Sequence, residues 1–261
     1  MFIQPTVNEG ATRVLISGPP NSFKTTSLLT WPRPIHIISY PGEKGWETIP
    51  IGKEDVIPYV WQVADATTLT GTSVVNEVER LTLEILAGKR GPVTTLAGDG
   101  LHKLYDWYYK KARFEVEGLS IDEEKKDIRA YGNPAGGAYR GLLDYLTRVL
   151  QFSVPYVVMT VWEDPERDDP KDKSKDAPTH VFPALPGKIA KRIVGEFSAT
   201  VYAEVPPVAD VKGNLAGTWQ LRPGGKVWGV GVKAPLEIAR TLPPKIPQDF
   251  TVLQKLLKGK E

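Results

Sequence analysis

Residues Arg13 to Pro34 read RVLISGPPNSFKTTSLLTWPRP, and the nine from Gly18 through Pro19, Pro20, Asn21, Ser22, Phe23, Lys24 and Thr25 to Thr26 decide the fold. An apolar run, Arg13 to Ser17, ends on a glycine, and Lys24 to Thr30 has the makings of a helix stopped ahead of Pro32. Between a strand and a helix, backbone N–H groups and the helix N-terminus converge, which is where a phosphate is held. On this reading the N–H groups of residues 20 to 25 ring a β-phosphate, Lys24 bridges β and γ oxygens, and the Thr25 hydroxyl holds Mg²⁺. Thr26 begins the packed part of the helix. The string departs from G-x-x-x-x-G-K-[ST] at Phe23, which stands where the second glycine belongs. Phenylalanine carries a Cβ and a ring, so the backbone there is expected to be right-handed. A plain strand-to-helix turn with an exposed lysine is the blander reading of the same letters.

Outward from this loop, strands and helices alternate. Ile35 to Ser39 reads as a second strand leaving through the turn YPGEKG, and Val74 to Leu86 as a helix with Val74, Val75, Val78, Leu81 and Ile85 on one face, ended by Gly88. Pro92 to Ala97 makes a weaker third strand ending at Gly98 and Asp99, followed by helices over Leu101 to Glu117 and about Ala138 to Phe152. Tyr156 to Val161 (YVVMTV) is the longest β-rich run and reads as a fourth, central strand buried on both faces. A polar, proline-interrupted stretch from Asp164 follows, expected as a mobile loop. Beyond it come a helix near Lys188 to Ile193, a strand near Ala199 to Val205, a hairpin of Trp219 to Arg222 with Val227 to Val232 around the turn PGG, and a closing helix near Phe250 to Leu257. The expectation is one α/β domain over residues 1–261. It has a mainly parallel central sheet covered by helices, a mobile loop at 164–186, a C-terminal antiparallel hairpin, and a tail with a helix over 234–261.

Three carboxylates end strands on the same sheet edge as the phosphate loop. Asp99 is the candidate for holding Mg²⁺ beside Thr25, with helix capping as its plainer role. Glu43 and Glu163 each have the position to orient an attacking water, and each has the alternative of a solvated turn glutamate. Thr160 is placed to sense a γ-phosphate by hydrogen bonding, or else is a satisfied buried threonine.

Composition narrows partners less. The 261 residues are 41% hydrophobic and 25% charged, contain no cysteine, and carry a formal charge of +2. No apolar run approaches the roughly 18 residues of a membrane span, and the first residues lack a secretory pattern, so a cytoplasmic protein without membrane attachment is expected. The three histidines are too scattered to announce a metal centre.

The order of parts resembles the RecA-like P-loop ATPases, and within them the small phage-encoded ATPases associated with single-strand annealing recombination. The matching segments are VLISGPPNSFKTTSLLTWPRP, GDGLHKLYD, VVMTVWEDPE, LPGKIAKRI and RPGGKVWGVGVK, spanning residues 13 to 233. The resemblance implies ATP with Mg²⁺ as ligand, Glu43 as the catalytic glutamate, and Asp99 as the metal-associated aspartate. It further implies a head-to-tail homo-oligomer in which Arg222 is a finger reaching the neighbour's γ-phosphate. QLRPG fits the family's K-x-R-x-G with Gln220 in place of lysine. It also implies single-stranded DNA as partner, met by the loop from Asp164 to Pro186.

Charge redirects that last implication. Residues 164 to 180 hold six acids against four bases, so counterion release cannot come from this loop alone. Lys188, Lys191 and Arg192, or Arg140 with Tyr139, are better phosphate contacts, though helix charges of this kind also serve simply to solvate a surface. Tyr105, Trp107, Tyr108 and Tyr109 have the faces to stack bases, but at helical spacing they equally read as core. An ATPase supporting phage DNA recombination or replication is therefore weighed against two rivals. One is a nucleotide-dependent switch or assembly factor with little turnover and no DNA. The other is a small-molecule or nucleoside kinase whose polar loop is a lid. No guanine-reading N-K-x-D string occurs.

Overall fold

The phosphate loop follows the first strand, β1 (Thr12–Gly18), whose residues from Arg13 onward are all buried. Burial on both faces is the signature of a parallel strand covered on each side. The computed structural model describes residues 11–49, 59–62, 71–117, 132–167, 179–186, 188–204, 217–223, 227, 229–233 and 236–258. Six strands lie parallel in the order β3 (Tyr59–Gln62), β2 (Ile35–Ser39), β4 (Thr95–Asp99), β5 (Tyr156–Arg167), β1 and β7 (Ala199–Glu204). Two strands, β5 and β4, thus separate β1 from β2, and the carboxyl ends of all four open onto one edge.

Period-two alternation splits the core into two layers. Leu15, Leu96, Val157 and Met159 face α2 (Gly71–Leu86), α3 (Leu101–Glu117) and α4 (Gly132–Gln151). Val14, Ile16, Ala97 and Val158 face the opposite layer with Leu28, Trp31 and Phe250. Phe250 opens α7 (Phe250–Leu257), stacks on Trp31 at 4.1 Å between centroids, and follows Asp249, whose side chain caps the helix by accepting from the Thr251 N–H. Burying Phe250 and Leu253 is worth about 2–3 kcal/mol each, which docks the end of the chain on the sheet.

The α/β architecture with a mainly parallel sheet is as expected, and several boundaries move for identifiable reasons. The helix after the phosphate loop, α1 (Lys24–Ser27), tightens at once into a 3₁₀ turn over Leu28–Thr30. The third expected strand sits later, at Thr95–Asp99, with Asp99 inside it. The glycine that diluted its sequence is a packing device: a Cβ on Gly98 would stand 2.4 Å from the Tyr40 hydroxyl and 2.3 Å from the Met159 sulfur. Helix α4 begins six residues before the expected Ala138, because Pro134 falls in its first turn, where a proline is tolerated, and Gly136 and Gly137 continue the helix. A Cβ on Gly141 would meet the Tyr108 ring at 2.6 Å, so this glycine lets α3 and α4 cross closely.

The polar segment expected as a loop is, in its described parts, a ribbon. β5 runs on to Arg167 and pairs antiparallel with β6 (Thr179–Pro183), and residues 168–178 lie outside the described residues. The late strands are antiparallel as expected, but with other partners. β8 (Thr218–Gln220) and β9 (Gly231–Val232) each pair with β7 instead of with one another, and β8 also takes β10 (Lys245–Pro247), inside the segment read as a tail. Pairing with a formed sheet edge satisfies more backbone groups than an isolated two-stranded hairpin. No helix among the described residues is long and apolar enough to cross a membrane.

Candidate functional site

Three chain segments converge at the carboxyl edge: the phosphate loop, the turn after β2, and the end of β4. They are packed without room for side chains. A Cβ on Gly45 would lie 2.3 Å from the Thr25 hydroxyl and 2.7 Å from Asp99 Oδ2, and one on Gly100 would lie 2.9 Å from Glu43 Oε2. Gly45 and Gly100 are therefore what lets Thr25, Asp99 and Glu43 crowd together. Beside them opens a cleft of about 520 Å³, lined by residues 20–26, Glu43 to Gly45, Asp99, Thr160 and Trp162. That is within the size range of small-molecule and cofactor sites.

The phosphate loop has the conformation its missing glycine would have supplied. Phe23 adopts φ 59°, ψ 21°, the left-handed region, and Asn21 does likewise at φ 62°. The expectation of a right-handed Phe23 is thus corrected: the cradle is retained at a strain of about 1–2 kcal/mol, with the ring directed outward and 41% exposed. The Lys24 ammonium, almost fully buried, donates to the carbonyls of Gly18 (2.9 Å) and Pro19 (2.6 Å) and to the Ser22 hydroxyl (3.2 Å). Burial pulls its pKa down to about 8, against the upward pull of Asp99, Glu43 and Glu163. An incoming polyphosphate would give this cation the counter-charge that loop carbonyls supply only in part. The loop is braced from the far end of the chain by buried Gln248, whose amide donates to the Ser22 carbonyl at 3.0 Å.

Asp99 is the hub of the carboxylate side. The Thr25 hydroxyl lies 3.0 Å from each of its oxygens, and the Thr160 hydroxyl donates to Oδ1 while accepting from the Gly100 N–H at 2.9 Å. Burial raises the Asp99 pKa to about 6, the two hydroxyls opposing and Glu43 adding to the rise. The Asp99 carboxylate and the Thr25 hydroxyl are hard oxygen donors of the type Mg²⁺ takes, so Thr25 and Asp99 are the residues that would hold the ion.

Glu43 and Glu163, equivalent in sequence, differ here. The Tyr202 hydroxyl donates to Glu163 Oε2, which ties that side chain to β7. Glu43 lines the cleft, takes backbone N–H groups of Lys44 (3.1 Å) and Gly45 (3.2 Å) on Oε1, and leaves Oε2 buried without a partner. His102 and Trp162 complete this corner, their rings stacked at 4.6 Å. Neither was singled out from sequence, although both carry a positional signal. His102 is three residues after Asp99 on the first turn of α3, and Trp162 is two after Thr160 on one strand face.

The remaining candidates are dispersed. Arg222 follows β8 and donates to the Ala239 (2.7 Å) and Arg240 (3.0 Å) carbonyls near the end of α6 (Leu236–Thr241). Gln220 donates to the Arg222 carbonyl at 2.8 Å. Lys188 opens α5 (Lys188–Ile193), in which Lys191 lies over Phe182 and Arg192 over Tyr139, the neighbour of exposed Arg140. Tyr105, Trp107 and Tyr108 are buried in the α3 packing layer, and Trp107 donates to the Pro41 carbonyl at 3.1 Å, so their role is structural. His36 is likewise a core residue, with Trp61 donating to its Nδ1 and the Pro92 carbonyl at its Nε2.

Neither a protein-family model nor a curated protein sequence matches the chain. Among solved structures it is similar to a prototypical ATPase from the type III secretion system of pathogenic bacteria, with 12% identity and a TM-score of 0.42 over 73% of this chain. The match spans about half of that chain's length, 50%. The fold is mixed α/β, with a mostly parallel central sheet covered by helices and the loop Gly18 to Thr26 following its first strand.

Proposed function

We propose that this chain binds ATP with Mg²⁺ in the cleft and hydrolyses it. The observation that carries the reading is the direct pairing of Thr25 with Asp99 beneath a left-handed phosphate loop whose lysine is already turned into it. Lys24 faces the β and γ phosphates and offsets charge as the γ-phosphoryl group departs. Thr25 and Asp99 would hold Mg²⁺, which would supply Lewis-acid neutralisation of the phosphate oxygens. Glu43 takes the proton of the attacking water, the water oxygen bonds to the γ-phosphorus, and the bond to the ADP oxygen breaks, giving ADP and phosphate. Thr160, which bonds Asp99 and lines the cleft, would sense the γ-phosphate by hydrogen bonding. The wider reading is an ATPase that assembles head to tail, places Arg222 in its neighbour's site, and works on single-stranded DNA in phage recombination or replication. Arg140, Lys188, Lys191 and Arg192 are its phosphate contacts.

One observation favours a second reading, a nucleotide-dependent switch with little turnover: Arg222 is engaged by carbonyls of its own chain. ATP hydrolysis measured with and without single-stranded DNA separates the two. ATP turnover that DNA stimulates, and that is lost in Lys24→Ala, supports the first; nucleotide binding with no turnover in either condition supports the switch. Lys24→Ala leaving nucleotide affinity unchanged overturns both.

A further inference from the structure

Glu43 Oε2 and His102 form an incomplete pair. The Oε2 atom is buried and unpartnered, and His102 is 8% exposed with no partner on either ring nitrogen. Its Nε2 lies 3.8 Å from that oxygen. More than about nine in ten buried polar groups in native structures find a partner, and a shift of about 1 Å closes this gap to hydrogen-bond length. The ring is placed for it. It rides on the first turn of α3, directly after Gly100, whose missing Cβ lets the Glu43 side chain pass. It is held flat against Trp162, with the Lys103 ammonium 5.3 Å from the far partner's ring centroid. Burial, with Lys103 and Lys24 nearby, pulls its pKa down to about 3, so at neutral pH the imidazole is uncharged and offers a single N–H.

We propose that His102 is a positioning residue for Glu43: its neutral ring donates Nε2–H to Oε2 and fixes the carboxylate that activates the attacking water. This deepens the hydrolytic reading and rests on it. With Oε1 held by two backbone N–H groups and Oε2 by the imidazole, the carboxylate loses its rotation about the last side-chain bond. Oε1 then has both lone pairs engaged, and Oε2 keeps one lone pair for a water. The Trp162 stack ties that orientation to β5, the strand that also carries Thr160 to the cleft.

The test separates donor from packing. In full-length chain His102→Phe keeps the stack on Trp162 and loses the N–H, whereas His102→Gln keeps an N–H near the Nε2 position and loses the stack. The expected result is a fall in kcat of about tenfold for His102→Phe with KM changed less than about twofold, and recovery of most of the rate in His102→Gln. A His102→Phe chain with wild-type kcat, or a His102→Gln chain as slow as His102→Phe, overturns the proposal. A second readout needs no turnover: imidazole ¹⁵N shifts should show His102 as the neutral Nε2–H tautomer, displaced in Glu43→Gln. An Nδ1–H tautomer, or shifts unmoved by Glu43→Gln, rejects the pairing. Correct shifts in a chain that does not hydrolyse ATP keep the pairing and reject the hydrolytic reading.

Discussion

The two ends of β1 treat buried charge in opposite ways. At its start Arg13 is buried, yet its guanidinium donates to four carbonyls, of Thr12 (3.3 Å), Leu150 (3.0 Å), Phe152 (2.8 Å) and Pro155 (3.2 Å). These close the end of α4 and the turn into β5. At its finish, beyond Gly18, Lys24, Asp99, Glu43 and His102 crowd together with pKa values displaced by burial at three of them and orphaned atoms on two. The first arrangement engages four of the guanidinium's five N–H donors with backbone carbonyls and faces no cleft-lining residue. The second is unfinished, and a ligand with negative oxygens and a divalent cation would complete it. A satisfied buried charge is architecture; an unsatisfied cluster beside a cleft marks a site.

The comparison can be broken at the finish of β1 first, where the effect is largest. Glu43→Gln should lower kcat for ATP by about 10²–10⁴-fold while nucleotide binding, followed by calorimetry, is retained. Equal loss at Glu163→Gln and none at Glu43→Gln would reverse the roles drawn from Tyr202.

Asp99 comes next, through pH. Its folded pKa is about 6 against an ordinary 3.8, so between these values the folded chain holds a proton that the unfolded chain has released. Stability of the ligand-free protein from this group is therefore greatest at the acid end of the window and declines as pH rises through 6. Asp99→Asn should flatten that slope in denaturant titrations and raise stability at pH 7 by up to about 3 kcal/mol. The same variant should lose the rise in Tm that Mg²⁺ and ATP confer on the parent.

Arg13→Leu tests the other end. It should lower stability by about 2 kcal/mol, seen as a shifted urea midpoint, and leave KM for ATP unchanged. A changed KM would mean that β1 transmits strain along its length.

The smallest effect sharpens the picture of the loop itself. Phe23→Gly should raise stability by about 0.5–1 kcal/mol, because the left-handed backbone no longer strains a Cβ, less the greater freedom of glycine in the unfolded chain. Phe23→Ala, which keeps the Cβ, should not gain, and a differential Tm measurement resolves the two.

Much of this was legible in the letters. Ile35 to Ser39, Leu101 to Glu117, Lys188 to Ile193 and the helix from Phe250 to Leu257 fall where periodicity and terminators put them. The strand Tyr59–Gln62 was missed because four residues give too short a pattern, and its identity as a strand comes from pairing with β2. The Gly98 that ends the weaker-looking third strand is a close contact, because what a glycine accommodates is usually distant in sequence.

At the loop Gly18 to Thr26, sequence alone determined that a strand hands over to a helix through a phosphate-sized turn with a lysine and a threonine at its end. These are properties of neighbouring residues, whose propensities and spacing act locally. The left-handed turn at Phe23, the pairing of Thr25 with Asp99, the division of labour between Glu43 and Glu163, and the approach of His102 were decided by tertiary structure. The register of β4 against β5 sets Gly98 beside Met159 and so brings Thr160 onto Asp99 across 61 residues of chain. Side chains so far apart in sequence meet only when the whole sheet has closed.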